Sequence, residues 1–484
     1  MGYKFRGQNL DQGYLLPPDM RDWLPDNHLV FFLIEIIDKV DIKPIMRRFR
    51  NDGKGGAPYD PRLILAVLCY SYANGIVSSR KIERFCREDV ACRIAAHGTN
   101  PDHVTLCRFR RQSGELFEQL FTSALRLCAK AGLVDPSLIA IDGTKVKADA
   151  SLDKSYTVDR LAKLLVEAAE ATDQVEQETV EQTTLEGQDP NNTSGGGLVD
   201  RDLARPGPGR TKRIEQALAD LEAEHARDVE TKNRYPRKKA NTTDPDSRVM
   251  KGRHGTIQGY NAQAAVTQDQ VIVAAGVYTD RTDYNLMEPM IDQTRENLED
   301  AGLDNTGSEF LLDAGYLTNS NASKDNVLIA VGQGHHVDEV VEKKLAREAE
   351  KNRVFTQIDA GVLTFEQGGQ QLKLTVGSLQ NLFWVWRRKR REAGGGENPV
   401  TGLTPINEMA RKLQTEQGRA KYKKRSVMVE PVFGQIKHSR RFPGFSTRGL
   451  GAVRGEWNLV CGVHNLLKLV AHQLKTSQPL PSVT

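Results

Sequence analysis

The chain has 484 residues, enough for a sizeable core and roughly two or three domains, which excludes a single small module. Its 67 basic and 63 acidic residues leave a formal net charge of +4, so a nucleic-acid surface would have to come from local clusters of Lys and Arg. The N-terminus, M-G-Y-K-F-R-G-Q-N-L, lacks the apolar core of a signal peptide, and no segment offers the roughly 18 uncharged apolar residues of a membrane span. The six cysteines (Cys69, Cys86, Cys92, Cys107, Cys128, Cys461) show no C-x2-C pairing and read as buried free thiols. The expectation is a soluble, cytoplasmic protein in a reducing compartment, with no membrane partner.

In chain order, apolar positions recurring at three and four residues predict an all-helical N-terminal region over 1–134. Its helices are L-I-L-A-V-L-C-Y-S-Y-A after Pro61, S-S-R-K-I-E-R-F-C-R-E-D from Ser78, and one long run from Thr105 to Lys130. The last opens T-L-C-R-F-R-R, gathering Arg108, Arg110 and Arg111 near one helical end, as a DNA-backbone contact needs. A solvated helix face fits the same cluster.

From Pro136 the pattern turns to α/β, and a second domain is expected over 135–475. Strands are predicted at 137–147, 259–267 and 270–279, the last two as a hairpin. A helix over 283–301, a strand at 308–313, a short polar segment and a strand at 327–332 complete the order β-β-β-α-β-α-β. This order matches a ribonuclease H-like mixed sheet with helices on both faces, in which right-handed crossovers place the fourth strand beside the first. Two insertions interrupt it. A helical arm within 152–240 carries Leu161, Leu164, Leu165 and Ala168 at helical spacing, with flexible N-N-T-S-G-G-G and R-P-G-P-G links. A second, at 333–420, contains V-E-K-K-L-A-R-E-A-E-K, some β-like sequence, and W-V-W-R-R-K-R-R at 384–391, ending at A-G-G-G-E-N-P.

Three carboxylates carry the chemistry. Asp142 in S-L-I-A-I-D-G-T-K-V-K-A and Asp313 in E-F-L-L-D-A-G-Y-L-T sit where apolar strand-like runs give out. Glu430 in R-S-V-M-V-E-P-V-F-G-Q-I-K precedes a basic, helix-compatible stretch. Phosphoryl transfer on DNA can use two divalent ions about 3.5–4 Å apart, one activating the attacking oxygen and one stabilising the leaving oxygen. Such hard cations favour carboxylate oxygen, so Asp142, Asp313 and Glu430 are the candidate ligands for two Mg2+ ions, with Mn2+ a substitute. Alone, each is weak: an Asp at a strand end commonly caps a turn, and Glu430 before Pro431 suits an exposed residue near a helix start. Asp149 competes with Asp142 but lacks the apolar lead-in.

These segments resemble the DDE transposases of bacterial insertion sequences, in the branch with an N-terminal helical domain and a Y-R-E-K signature. Y-D-P-R-L-I-L-A-V-L and P-D-H-V-T-L-C-R-F-R-R resemble its helical domain. A-I-D-G-T-K-V-K-A-D-A-S resembles the first-Asp motif, G-Y-N-A-Q-A-A-V the following strand, and L-L-D-A-G-Y the second-Asp motif. Tyr422, Arg425, Glu430 and Lys437 resemble the signature, with F-G-Q-I-K-H-S-R-R-F and T-R-G-L continuing it. Four residues rather than the usual three separate Arg425 from Glu430.

The resemblance implies catalysis by Asp142, Asp313 and Glu430, and DNA contacts by Tyr422, Arg425 and Lys437. Arg440, Arg441 and Arg448 add positive charge just beyond. It further implies binding of terminal inverted repeats, metal-dependent cleavage, strand transfer into target DNA, and at least a homodimer. Trp384 and Trp386, before a basic run, invite single-strand stacking, although a buried strand with a basic tail reads as well. A nuclease of the same fold that only hydrolyses, or an inactive DNA-binding regulator, are the alternatives.

Overall fold

The computed structural model describes residues 19–46, 58–168, 208–230, 239–252, 255–331, 337–392 and 405–476. Its N-terminal part is helical: α1 (Leu29–Asp38), α2 (Lys43–Met46), α3 (Pro61–Ala73), α4 (Ser79–Glu88), α5 (Val90–Ala95), α6 (His103–Gln112) and α7 (Gly114–Lys130). Asp60, Asp89 and Asp102 accept from the unpaired N–H groups at the starts of α3, α5 and α6, and Pro61 opens α3 where no N–H is needed. The single helix expected from Thr105 to Lys130 is instead two, broken at Ser113. The break lets Gly114 meet Gly455 of the C-terminal helix, where a Cβ on Gly455 would lie 2.8 Å from Gly114 Cα.

The strands are β1 (Leu138–Lys147), β2 (Ser155–Tyr156), β3 (Ala240–Asn241), β4 (Arg248–Gly252), β5 (Gly255–Thr267), β6 (Ile272–Tyr278), β7 (Glu309–Leu312) and β8 (Val327–Ile329). The main sheet runs β4-β5-β1-β7-β8, with β6 also on β5, while β2 and β3 pair separately. β1, β5 and β6 form the antiparallel meander, and β7 lies parallel to β1, as the ribonuclease H-like order requires. β4 has no counterpart among the expected strands; it pairs with the outer end of β5.

The arm is a helical pair: α8, helical over 158–168, buries Leu161, Leu164 and Ala168 against Ile214, Ala217 and Leu221 of α9 (Pro208–Glu230). The connection 169–207, including N-N-T-S-G-G-G, lies outside the described residues. After α10 (Met287–Asp300) and α11 (Asn319–Ala322), the second insertion forms α12 (Val337–Asp359), α13 (Phe365–Leu372) and α14 (Val376–Glu392). The β-like sequence expected there is helical, because Thr364 and Gln367 form a capping box and Phe355, Leu379, Phe383 and Trp386 close a small core of their own. Trp386 faces that core, whereas Trp384 is exposed under the guanidinium of Arg387. The A-G-G-G-E-N-P break lies outside the described residues. The chain then forms α15 (Pro405–Gln414), α16 (Glu416–Gly434), a π-helical turn (Gln435–Ser439) and α17 (Leu450–Thr476).

Opposed residues of an antiparallel pair share a sheet face. Asp142 and Val146 therefore share one face with Ala264 and Tyr260, and Phe445 and Trp457 continue edge-to-face from Tyr260 into α17 on that side. Gly143 and Lys145 share the other face with Gln263 and Asn261, and Met290 of α10 approaches Gly276, which pairs with Gln263. Among the described residues no helix is long and apolar enough to cross a membrane. All six cysteines are free, five buried and Cys107 partly so.

A buried carboxylate joins the helical part to the C-terminal helix α17. Glu456 of α17 accepts from Tyr72 Oη of α3 at 2.6 Å and from the N–H and hydroxyl groups of Ser446 and Thr447, and Arg110 Nη1 donates to Tyr72 Oη at 3.0 Å. Removing one member of a buried charged network strands the rest. Glu456→Ala is expected to cost about 3 kcal/mol in urea unfolding, and a loss under about 1 kcal/mol would show that the network contributes little.

Candidate active site

β7 ends at Leu312 while β1 runs on to Lys147. Ala140 lies opposite Leu311 in the parallel register, so Asp142 and Asp313, each two residues further on, emerge beside one another where the second strand stops. Side chains on the Asp142 face of β5 are Ala262 and Ala264, small enough for α16 to approach. From α16, Arg425 Nη2 reaches Asp142 Oδ2 at 3.0 Å, and Gly143 N donates to Asp142 Oδ1 at 2.9 Å. Asp313 caps a short 3-10 turn, Ala314–Tyr316, accepting from Gly315 N at 2.9 Å.

Burial, followed by the charges of Asp313 and Asp283, pushes the Asp142 carboxyl up to about 6, while Arg425 pulls it down. Burial also opposes the charge on Arg425, but Asp142 and Asp313 restore it, and its pKa lies above the ordinary value. Tyr422 donates from Oη to Leu312 O at 3.1 Å, one residue before Asp313. Its phenol is raised, first by burial and then by Asp313, Asp142 and Glu430, so all three carboxylates act on this one ring. Glu430 itself is exposed on α16. Among the described residues no three Asp, Glu, His or Cys side chains converge closely enough to hold a metal ion, so Glu430 does not close a ligand set with the two aspartates as the side chains stand.

Several basic residues read as DNA contacts have internal partners. Arg110 is buried and donates to Tyr72 Oη, Val77 O and Ser79 Oγ, so it is corrected to a structural residue, whereas Arg108 and Arg111 are exposed. A helix turns about 100° per residue, which separates neighbours in the R-F-R-R run onto different faces. Arg440 is likewise corrected: Nε donates to Gln435 O and Nη2 to His464 Nδ1 at 2.8 Å, and burial lowers its pKa to about 10. Lys437 donates to Thr144 Oγ1 and, at 3.1 Å, to Lys145 O, so its ammonium is bound to β1 and burial lowers its pKa. Arg448 pairs with Asp149 at 3.0 Å, and Arg441 is exposed. Pro431 lies inside α16, not near its start. It removes the N–H that would reach Val427 O, and Gln270 Nε2 donates to that carbonyl at 3.0 Å instead.

Behind β1 lies a polar cluster that sequence reasoning missed. Asp283 Oδ1 accepts from Lys145 Nζ at 3.1 Å, Asn261 Nδ2 at 2.6 Å and Gln263 Nε2 at 2.9 Å, and Tyr316 Oη donates to Gln263 Oε1. A Cβ on Gly143 would lie 2.2 Å from Gln263 Nε2 and 3.0 Å from Asp283 Oδ1, so the glycine after Asp142 makes room for the cluster. The available signal was G-Y-N-A-Q-A-A, in which Asn261 and Gln263 alternate on one face of a strand otherwise suited to burial.

Two families match the chain: Transposase domain (DUF772) over residues 18–112, and Transposase DDE domain over 403–470. Both matches are to transposase domains, and they support a DDE transposase of an insertion sequence. No curated protein and no solved structure matches it. Glu430 lies within the second matched segment, whereas Asp142 and Asp313 lie in the stretch between the two. In the transposase, the Arg110–Tyr72–Glu456 chain links one matched segment to the other.

The Asp142 carboxyl lies above its ordinary 3.8, so its contribution to folding stability is full below that value and is lost as pH rises through about 6. Asp142→Asn should remove this fall from the transposase's stability profile. Arg425→Ala deletes the group that pulls Asp142 down, and 13C NMR of the carboxyl should then show a midpoint above 6. A midpoint unchanged or lower would mean that the ion pair does not control this charge.

Proposed function

We propose that this transposase binds the terminal inverted repeats of its insertion sequence and catalyses metal-dependent DNA cleavage and strand transfer. Asp142, Asp313 and Glu430 are the carboxylates of the reaction. The observation that carries the reading is the placement of Asp142, part-way along β1, beside Asp313, just past the end of the parallel strand β7, with the guanidinium of Arg425 between the sheet and α16 as an internal counter-charge. Their donor chemistry fits hard divalent cations, Mg2+ or Mn2+: carboxylate oxygens, one of them already satisfied by a cationic group.

When bound, two such ions would supply charge stabilisation for the attacking and leaving oxygens. Asp142 and Asp313 would hold them against the sheet, and Glu430 would complete the set from α16, a move that requires Arg425 to leave Asp142. A water oxygen attacks phosphorus and the bond to the 3'-oxygen breaks, freeing a 3'-hydroxyl. That hydroxyl then attacks a phosphodiester of target DNA, forming one bond to phosphorus as another breaks. The helical region ahead of residue 135 is the proposed DNA-binding domain, with exposed Arg108 and Arg111 in reach of phosphates. Joining two ends calls for at least a dimer.

Labelled DNA carrying the flanks of the element, incubated with Mg2+, should be cut at its ends and joined to target. Asp142→Ala, Asp313→Ala and Glu430→Ala should each lower cutting by about a thousandfold, as when a charge-stabilising group is lost, and leave DNA binding intact. Cutting preserved in any variant would remove that residue from the site. Hydrolysis without joining would identify a nuclease, and tight binding with no cutting a regulator.

A further inference from the structure

The cluster behind β1 contains a carboxylate to which neither the family matches nor the proposed reaction gives a role. Asp283 lies in the loop between β6 and α10, far in sequence from every residue it holds. Three donors from β1 and β5 converge on its Oδ1, and one of them, Gln263, accepts in turn from Tyr316 Oη. Tyr316 ends the 3-10 turn that Asp313 caps. Asp283 Oδ2 faces the same turn: a Cβ on Gly315 would lie 3.4 Å from it and 3.0 Å from Asp313 Oδ1.

We propose that Asp283 is a positioning residue of the active site, which fixes the separation of Asp142 and Asp313 by clamping Lys145, Asn261 and Gln263 behind β1 and, through Gln263 and Tyr316, the turn that carries Asp313. The inference rests on the reading of Asp142 and Asp313 as the metal-holding pair. The bonds run from one side of that pair to the other. Lys145 is three residues beyond Asp142 on the same strand, and Tyr316 is three residues beyond Asp313. A third fixed point comes from α17, where Trp457 Nε1 donates to Gln263 O at 3.0 Å. The three bonds to Asp283 are part-buried, the one from Lys145 being an ion pair, and those from Tyr316 and Trp457 to Gln263 are buried, so loss of the one acceptor leaves several donors unpaired. The clamp therefore acts as a unit around one acceptor oxygen, which two neutral amides and the Lys145 ammonium share.

The test is Mn2+ binding to the full chain without DNA, read by the electron paramagnetic resonance of free Mn2+. Asp283→Ala should weaken binding by about tenfold or more, the scale seen when a partner outside the ligand set is removed. Asp283→Asn retains an acceptor oxygen and should recover most of the affinity. Tyr316→Phe cuts only the last link and should weaken binding by a smaller factor, so the proposal stays testable if Asp283→Ala fails to fold. Wild-type affinity in Asp283→Ala or in Tyr316→Phe would overturn the clamp, as would Asp283→Asn binding no better than Asp283→Ala. Asp142→Ala and Asp313→Ala serve as controls: Mn2+ binding that survives both would defeat the metal-site reading itself, separately from the role of Asp283.

Discussion

Two carboxylates held side by side, one on a strand and one just past the end of its parallel neighbour, repel one another, and the architecture around them is organised to tolerate that repulsion. Asp142 is buried enough that its charge is disfavoured, and Asp313 worsens the penalty. Arg425 relieves it, at 3.0 Å from Asp142. The protein thus keeps an internal cation where the proposed chemistry needs external ones. In the proposed reaction, this arrangement would make the departure of Arg425 part of assembling the complete carboxylate set.

The surrounding structure fixes α16, the helix that delivers Arg425. Lys437 binds the hydroxyl of Thr144 and a carbonyl of β1 just past Asp142, and Tyr422 binds the last carbonyl of β7. Pro431 would leave a carbonyl of α16 unpaired, and Gln270, from the turn between β5 and β6, supplies the missing donor. That turn is held in place from α17: His464, kept neutral by burial that lowers its pKa to about 3, lies 2.8 Å from Gln270 O through Nε2. Helix and sheet edge are therefore set by polar bonds from α17, the same helix whose Glu456 ties in the N-terminal helices.

The sheet was legible because its strands are buried in sequence as in space: the apolar runs before Asp142 and Asp313 are covered. The arm was legible from the spacing of Leu161, Leu164 and Ala168. What escaped was information carried by distant partners. Adjacent arginines suggested one charged patch, but only the packing of α3 and α17 shows that Arg110 turns inward. Pro431 marked a helix start until Gln270, remote in sequence, repaired the interior. Asp283 offered no local pattern, since its meaning lies in three side chains from two other strands.

The account depends on a metal ion being held between Asp142 and Asp313 with α16 alongside. The most direct measurement replaces Mg2+ with Fe2+, which oxygen-ligand sites of this kind accept, and maps where hydroxyl radicals generated by peroxide and ascorbate cut the polypeptide. The account predicts cuts clustered around Asp142, Asp313 and the Tyr422-to-Glu430 stretch of α16, suppressed by excess Mg2+ and absent in Asp313→Ala. Cuts confined to other parts of the chain, or unchanged in that variant, would contradict it.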